Sequence, residues 1–374
     1  MKIKTFIILV IVLGLLVGAG AFVMHLKTPS APTIAMGSPL VDELPVNDIV
    51  TIAIDGVASP VTLTNKGKGW VVEERFDYPA DFSRIIEFVR TLKDAKVGRM
   101  FVATDADLKR LSLKSPDEKG VSDADRATRV RMRDKKGEIL LELLVGDTRT
   151  RGERKLPDGQ FVALENKPNV YLIDKTLTAY LSGPSDWLAK SPVKVESEAV
   201  REIRCLGPDG KTVRFAFKRP AEGKPFELVM PKTDKKIKTP SLNRLAGALS
   251  SLDISDVTDP SKRPEGVMAG VSPVLVYTLF NGMSYRVYPG GRCSATTPCY
   301  VRFEVSYAPP KAEKPKETDK KSAQKPGPDV LEKEAKAENE RVSPWVFAIP
   351  EWQHKAFMTD AEKLLESLKE KEKG

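Results

Sequence analysis

The sequence has very few of the residues from which metal and thiol sites are built. Its 374 residues include only two histidines and three cysteines. A structural zinc site takes four Cys or His ligands at close spacings, and no such pattern occurs here. The glycine-rich phosphate loops and the HExxH and GxSxG motifs are also absent. We therefore expect no cofactor and no bound metal, and the enzyme classes that carry these signatures are excluded.

Aromatic residues are scarce at 7%, and the charge is only mildly one-sided. Lys and Arg number 60 against 51 for Asp and Glu, which gives a net charge of +9. The excess is not concentrated in the stripe that a nucleic-acid binder needs, so no nucleic-acid partner is expected. A Ser-His-Asp or Cys-His relay would have to be built on His354 alone, because His25 lies beside the N-terminal apolar run.

Long apolar runs are few as well, and the single one that could cross a bilayer follows Lys2 and Lys4 and extends to Met24. The two lysines keep the N-terminus in the cytoplasm by the positive-inside rule. We predict a single-pass transmembrane anchor over residues 1–27 in the cytoplasmic (inner) membrane, with the bulk of the chain periplasmic or otherwise extracytoplasmic. The alternative is a signal peptide cleaved near Ala19-Gly20-Ala21.

Two segments lack the residues needed for a core. Residues 28–45 are rich in Pro and small residues, which predicts a stalk. Residues 309–341 are dense in Lys, Glu and Pro and contain no aromatic residue, which predicts a disordered insertion. A polybasic membrane clamp is the alternative for the insertion, although its acids nearly match its bases. A C-terminal helix is predicted from Asp360 to Lys373.

The rest of the chain shows one order of landmarks twice, which predicts two tandem duplicated modules over residues 46–190 and 191–374. We predict an α+β class for each, with mostly antiparallel strands and one main helix, because hairpins outnumber β-helix-β alternations. Asn281-Gly282 predicts a type I′ turn. The alternative is a chance likeness between two α+β domains. The paired landmarks are Gly69–Val72 with Phe226–Val229, Pro79–Asp81 with Thr239–Ser241, Leu113–Pro116 with Gly270–Pro273, Thr128–Val145 with Val274–Tyr288, and Phe161–Leu164 with Tyr300–Phe303.

The cysteines give one candidate pair. Cys293 and Cys299 flank a short loop of turn-forming residues, whereas Cys205 stands alone in a predicted strand. In an oxidising compartment the close pair can form a disulfide that closes this small loop, which makes the two residues the candidate disulfide. Two free thiols on a turn are the alternative.

Carboxylate pairs are considered because a glycosidase needs only two acids at a suitable separation. Asp105 with Asp107 and Asp123 with Asp125 are such pairs in the sequence. Apolar residues at helical spacing follow the first pair, and Ser122 precedes the second, so we favour a helix cap and a turn over catalysis.

Arginines offer a more promising pattern. Arg129, Arg131 and Arg133 alternate with apolar residues, and Glu138 and Glu142 follow on the return strand. This predicts a cross-strand charge ladder on a solvated sheet face. The next loop has fewer acids to balance its arginines, and an anionic partner such as a phospholipid head group, a wall polymer or an acidic protein face could dock on it. The candidate contacts with an anionic partner are Arg149, Arg151 and Arg154.

The same landmarks resemble a known bacterial family. They are Trp70-Val71-Val72, Pro79-Ala80-Asp81, the Leu111–Pro116 linker, Val145-Gly146 and the Phe161–Leu164 strand. In this order they resemble the domain of unknown function 4340 family, over roughly residues 45–305 and the closing strands near 345. The resemblance implies a membrane-anchored envelope protein, often encoded beside ABC-transporter components of the gliding-motility type. It implies a partner complex and brings no active-site residues.

Three functions remain open, in order of preference. The first is a non-enzymatic, membrane-anchored extracytoplasmic interaction or scaffold protein, accessory to an ABC-type transport assembly whose subunits are its expected partners. The alternative is a binding module for an anionic envelope polymer or lipid head group. The third is a carboxylate-dependent wall hydrolase. The sequence leaves the oligomeric state open.

Overall fold

The computed structural model of the chain describes residues 36–41, 43–56, 59–165, 167–262, 264, 272–291, 293–294, 296–310 and 326–366. The predicted anchor and the first part of the predicted stalk lie outside these residues. The longest helix within them has 15 residues, and none of their helices is both long and apolar enough to cross a bilayer.

Nine antiparallel strands form the first sheet, and an amphipathic helix covers one of its faces. The helix, α1 (Phe82–Lys93), begins after Asp81, whose carboxylate accepts a hydrogen bond from the Arg84 N–H. A shorter helix, α2 (Asp105–Arg110), follows the fifth strand. The strands are β1 (Thr51–Asp55), β2 (Val61–Asn65), β3 (Trp70–Val72), β4 (Tyr78–Pro79), β5 (Val97–Val102), β6 (Thr128–Arg133), β7 (Ile139–Arg151), β8 (Leu156–Leu164) and β9 (Asn169–Ile173). Their order in the sheet is β4-β3-β2-β1-β6-β7-β8-β9-β5.

Eight antiparallel strands form the second sheet. The helix at the position of α1, which we call the main helix of this module, is α3 (Thr239–Ala246). The prediction of a single main helix is wrong here, because the later α4 (Pro328–Val342) is longer and also buries residues. The last helices are α5 (Glu351–Phe357) and α6 (Ala361–Leu364). The strands are β10 (Val200–Leu206), β11 (Val213–Lys218), β12 (Glu227–Met230), β13 (Asp256–Val257), β14 (Val274–Leu279), β15 (Met283–Pro289), β16 (Cys299–Tyr307) and β17 (Phe347–Ile349). Their order is β12-β11-β10-β14-β15-β16-β17-β13.

The two strand orders match position by position once β4 is set aside. In each sheet the first three strands run outward from the middle, and the strand after the main helix crosses to the far edge. There β5 pairs with β9, and β13 pairs with β17. The α+β class with two antiparallel sheets is therefore confirmed. We call the two units, each a sheet with its helices, the first and the second module.

Each module opens with an extended segment that pairs beside the strand after its main helix. In the first module the Leu40 N–H donates to the Ala95 carbonyl at 2.9 Å. In the second module the Ile254 N–H donates to the Lys190 carbonyl, also at 2.9 Å. These backbone bonds extend the two sheet edges in the same way. The predicted stalk over residues 28–45 is therefore wrong for its described part, residues 36–41 and 43–45, because Leu40 and Leu44 are buried in the core of the first module.

Each module also closes on the residues just before its main helix. The Asp81 N–H donates to the Trp187 carbonyl at 2.7 Å, and the Lys238 N–H donates to the Leu364 carbonyl at 2.8 Å. Trp187 and Leu364 are both buried. The closing segment thus fixes the start of the helix in each module.

Most buried apolar residues of both modules form one continuous hydrophobic cluster, and two smaller clusters lie apart from it. At the boundary, Tyr78 lies edge-on to Trp345 and Phe347, and its hydroxyl donates to the Ala189 carbonyl at 3.3 Å. Polar contacts flank this apolar boundary, where Arg75 Nε lies 2.6 Å from an Asp256 carboxylate oxygen. The modules therefore share a core and do not meet only through a linker.

The predicted disorder of residues 309–341 is wrong for the second half of this segment. Residues 326–342 are described, and α4 occupies most of them. Leu331, Ala335 and Val342 are buried against the sheet because they lie on one face of the helix. Two polar contacts fix the helix on the sheet: Glu338 accepts from the Tyr285 hydroxyl at 2.8 Å, and Asn339 accepts from a strand N–H. Residues 311–325 lie outside the described residues.

Two smaller predictions are also corrected. The helix predicted from Asp360 to Lys373 ends at Leu364, because Leu365 pairs with Ile237 as an isolated bridge, and residues 367–374 lie outside the described residues. The turn at Asn281-Gly282 is not type I′, since only Gly282 of the pair has a positive φ. The Gly282 N–H donates to the Leu279 carbonyl at 3.1 Å, which is the geometry of a type I turn closed by a left-handed glycine.

Candidate functional site

The longest strand of the first module and the turn after it carry the predicted contacts with an anionic partner. Strands β7 and β8 continue past the sheet as a two-stranded hairpin, residues 146–159, which we call the arm. Arg151 pairs with Leu156 near its tip, and Gly152 adopts a positive φ in the connecting turn. The three candidate arginines therefore lie on one protruding element.

The three arginines of the arm differ in their contacts. Arg149 donates to the Asp158 carbonyl at 2.9 Å and to its carboxylate at 2.8 Å, so its charge is paired within the arm. Arg151 and Arg154 are exposed, and neither side chain has a hydrogen bond or an ion pair to any residue that the structure describes. Of the predicted set, these two are free to contact a partner.

A groove of about 770 Å³ lies at the base of the arm. Its charged lining consists of three cations and two acids. Met36, the first described residue, also lines it. The arm therefore stands on the side of the first module where the chain enters from the N-terminal segment. The charged residues are Arg99, Arg149, Lys175, Asp158 and Asp174.

Cys293 and Cys299 form a disulfide with a Cα–Cα distance of 4.9 Å. Cys205 is a buried free thiol, and burial raises its pKa to about 11. His354 lies against the disulfide, with Nδ1 3.6 Å from the Cys293 Sγ and Nε2 3.1 Å from the Gly290 carbonyl. Burial lowers the pKa of this histidine. The two cysteines and His354 could bind a metal ion together only if both sulfurs were free thiolates. Because the sulfurs are bonded to each other, they close the loop between Cys293 and Cys299.

The proximity of His354 to the disulfide is absent from the sequence-based expectations. Sixty-one positions separate His354 from Cys293, and no spacing rule joins them. The contact arises because α5 packs against β15 and β16, the strands on either side of the disulfide loop.

The four candidate carboxylates serve as caps and ion-pair partners. Asp107 accepts hydrogen bonds from the Thr104 N–H and hydroxyl in a capping box, which lowers the pKa of Asp107 to about 2. Asp105 pairs with Lys114. The predicted helix cap is confirmed. Both carboxylates of this pair therefore bind residues that are near them in the sequence.

The second acidic pair lies in a single turn of 3₁₀ helix, residues Asp123–Asp125. Asp125 accepts from the Ser122 hydroxyl at 3.0 Å, and Asp123 lies 3.6 Å from Arg126. The predicted turn is confirmed. Each carboxylate here has its own short-range partner.

The predicted charge ladder is only partly correct. Arg131 pairs with Glu142 across the strands, with Nε to oxygen at 2.8 Å. Arg129 is not on a solvated face, since it is 5% exposed and lies among three acids. The segments after β8 and before β6 cover it and supply two of them. The acids around Arg129 are Asp117 at 2.7 Å and Glu142 and Glu165 at 3.7 Å.

Comparison with known proteins gives one match. A family model described as a domain of unknown function (DUF4340) matches residues 70–267, about half of the chain. This range includes the greater part of the first module and runs past α3 of the second. Searches of curated proteins and of solved structures found no significant match.

Proposed function

This chain belongs to the domain of unknown function 4340 family, and we propose that it is a non-enzymatic, membrane-anchored interaction or scaffold protein accessory to an ABC-type transport assembly. The two modules sharing one core are the observation that carries this proposal. Such a body presents surfaces at fixed relative positions, which suits a protein that holds others together.

The proposed location is the outer side of the cytoplasmic membrane. The apolar run that ends at Met24 supports it, since it is long enough to span a bilayer and follows two lysines. In this arrangement the chain leaves the membrane through residues 28–35 and reaches the first module at Met36.

We also propose that the two modules arose by duplication, with the boundary near residue 190. The matching strand orders support this, as do the equivalent opening and closing segments. The hairpin turns agree as well. Gly137 donates to the Asp134 carbonyl, and Gly282 donates to the Leu279 carbonyl, both at 3.1 Å and both with positive φ at the glycine.

Purification from native membranes tests the proposed assembly. The full-length chain is isolated in mild detergent, and the proteins that accompany it are identified by mass spectrometry. Permease and ATPase subunits of a transporter are the expected partners. A second form lacks residues 1–27 and is exported by a cleavable signal, so that loss of the subunits with this form assigns the contact to the anchor. If no membrane protein is enriched over an unrelated anchored control, the proposal fails.

A second candidate function is binding of an anionic envelope polymer or lipid head group by the arm. The unpaired, exposed guanidinium groups of Arg151 and Arg154 favour it. We expect binding to anionic polymer to weaken steeply with salt and to be lost in Arg151→Glu/Arg154→Glu. Lys135→Glu/Lys136→Glu, at the exposed tip of another hairpin, is the matched control. Equal binding by both double variants would remove this candidate.

A further inference from the structure

A second groove, of about 630 Å³, lies between α1 and the outer strands of the first sheet. Its floor is apolar, with Ile49 and Ile52 buried and Trp70 half-buried. Phe82 and Ile86 on the helix are 57% and 39% exposed at its mouth. The remaining apolar lining consists of Val46, Ile85 and Val89. We call this the helix–sheet groove.

The second module fills the corresponding place with its own side chains. Asn65 and Arg219 occupy equivalent positions in the two modules. The Asn65 N–H donates to the Val50 carbonyl, and the Arg219 N–H donates to the Arg201 carbonyl. Each acceptor lies two positions before the central buried Ile of the neighbouring strand. By continuation of the strand register, Trp70 corresponds to Phe226.

The filling side chains in the second module are a stacked pair. Arg219 lies 4.0 Å from the centre of the Phe226 ring and donates to the carbonyls of Ser197, Glu198 and Val200. Arg219 and Phe226 are both buried. In the first module a short Asn65 stands in place of the long arginine, and the space that the guanidinium would take is open.

The rim of the helix–sheet groove is cationic. Arg90 and Lys93, in the last turn of α1, line it and are exposed. Neither side chain has an ion pair or hydrogen bond with any other residue in the part of the chain that the structure describes. Asp94 is the acid on this rim, and Asn47 and Asn65 supply amides. An apolar floor beneath two unpaired cations is complementary to a molecule with an apolar tail and one anionic head.

We propose that the helix–sheet groove binds an acyl chain whose anionic headgroup pairs with Arg90 and Lys93. The volume falls in the range of about 300–1,000 Å³ that small-molecule sites occupy, and such sites combine an apolar lining with a few polar groups, as here. The assignment does not depend on the proposed transport assembly.

Photo-crosslinking of the full chain in native membranes tests this assignment. The probe is a fatty acid with a diazirine in its tail and an alkyne tag, compared with the fatty alcohol of the same tail. After irradiation, labelled peptides are identified by mass spectrometry. We expect label within residues 46–94, competed by unlabelled fatty acid and far less by the alcohol.

Two variants separate the tail from the head. Asn65→Arg/Trp70→Phe copies the pair that fills the second module and is expected to reduce labelling about tenfold, as loss of about 1.4 kcal/mol of binding would. Arg90→Gln/Lys93→Gln changes only exposed side chains, so the fold is retained, and it is expected to abolish the preference for the acid over the alcohol. Lys135→Gln/Lys136→Gln is the matched control, with two charges removed elsewhere.

Three outcomes would overturn the assignment. Label confined to residues 1–27 would mean that the probe reports only the bilayer. Equal labelling by acid and alcohol, unchanged in Arg90→Gln/Lys93→Gln, would leave the rim without a role. Crosslinks that join α1 to a second protein, in place of the competed label, would identify the groove as a protein-docking surface.

Discussion

Tyr78 of the first module meets Trp345 of the second edge-on, with ring centres 5.0 Å apart and planes at 88°. Aromatic pairs in this geometry contribute about 0.5–1.5 kcal/mol beyond the area that they bury. The contact joins the start of β4 to the segment just after α4, so it depends on both modules being folded.

Replacement of this tryptophan is expected to destabilise the whole chain. Trp345→Ala removes a half-buried indole from the boundary, for which we expect a loss of about 2 kcal/mol, less than the 3–5 of a fully buried site. Trp352→Ala is the control, since Trp352 is 63% exposed and should cost under about 0.5 kcal/mol. Denaturant unfolding measures both values, and equal losses would contradict the expectation.

The same tyrosine is expected to make stability fall at alkaline pH. Burial raises the pKa of Tyr78 from its ordinary value of 10.0 to about 12, although Arg341 acts in the opposite direction. The unfolded chain releases this proton near pH 10 and the folded chain only near pH 12, so this contribution is complete below pH 10 and is lost as the pH rises to 12.

Tyr78→Phe removes the titrating group and isolates that contribution. We expect its unfolding free energy to fall less steeply than that of the parent chain between pH 10 and 12, by about 2 kcal/mol in total. At pH 7 the variant should lose about 1 kcal/mol with its hydrogen bond to Ala189. Parallel pH profiles for the two chains would show that the phenol does not titrate in this range.

Gly146, at the base of the arm, is expected to tolerate no side chain. A Cβ there would lie 2.2 Å from the Leu111 carbonyl oxygen and 2.7 Å from the Leu113 side chain. Gly146→Ala should therefore cost at least about 2 kcal/mol through overpacking. Gly183→Ala is the control, because nothing lies within 4 Å of its Cβ position. Thermal melting compares the two, and a smaller shift for Gly146→Ala would contradict the close approach.

The disulfide is expected to stabilise the second module. Cys293 and Cys299 are six positions apart, and closing so short a loop is worth about 2 kcal/mol in the chain-entropy description. Cys293→Ser/Cys299→Ser should lose this amount, and the parent chain reduced with a phosphine should lose the same. A parent chain whose melting is unaffected by the phosphine would contradict the assignment.

The sequence predicts those elements of the fold that depend on neighbouring residues, and not those that depend on contacts distant in the sequence. The hairpins and the Asp81 cap are determined by neighbouring residues, so the alternation of apolar and polar residues and the turn-forming residues predict them. The helix α4 is not determined in this way, because its residues bury surface against strands that are distant in the sequence, as the 2.8 Å contact of Tyr285 with Glu338 shows. Average composition treats such a segment as disordered.

The same distinction between neighbouring and distant contacts applies to the candidate site. The arm arginines are adjacent in sequence, and their common location follows directly. The sequence does not show which of these arginines is neutralised, because the pairing of Arg149 with Asp158 depends on the strand register. The helix–sheet groove and the contact of His354 with the disulfide depend on tertiary packing alone, and no local pattern indicates them.

Ala189 and Lys190 are consecutive, yet the first is bonded to the first module through Pro79 and the second to the other module through Ile254. Chimaeras between relatives therefore have one clean crossover point, the peptide bond between these two residues. A crossover on either side of this bond would separate an extended segment from the module to which it is bonded. For the same reason, a protease has no spacer to cleave there, and the pair should resist limited digestion as a single fragment.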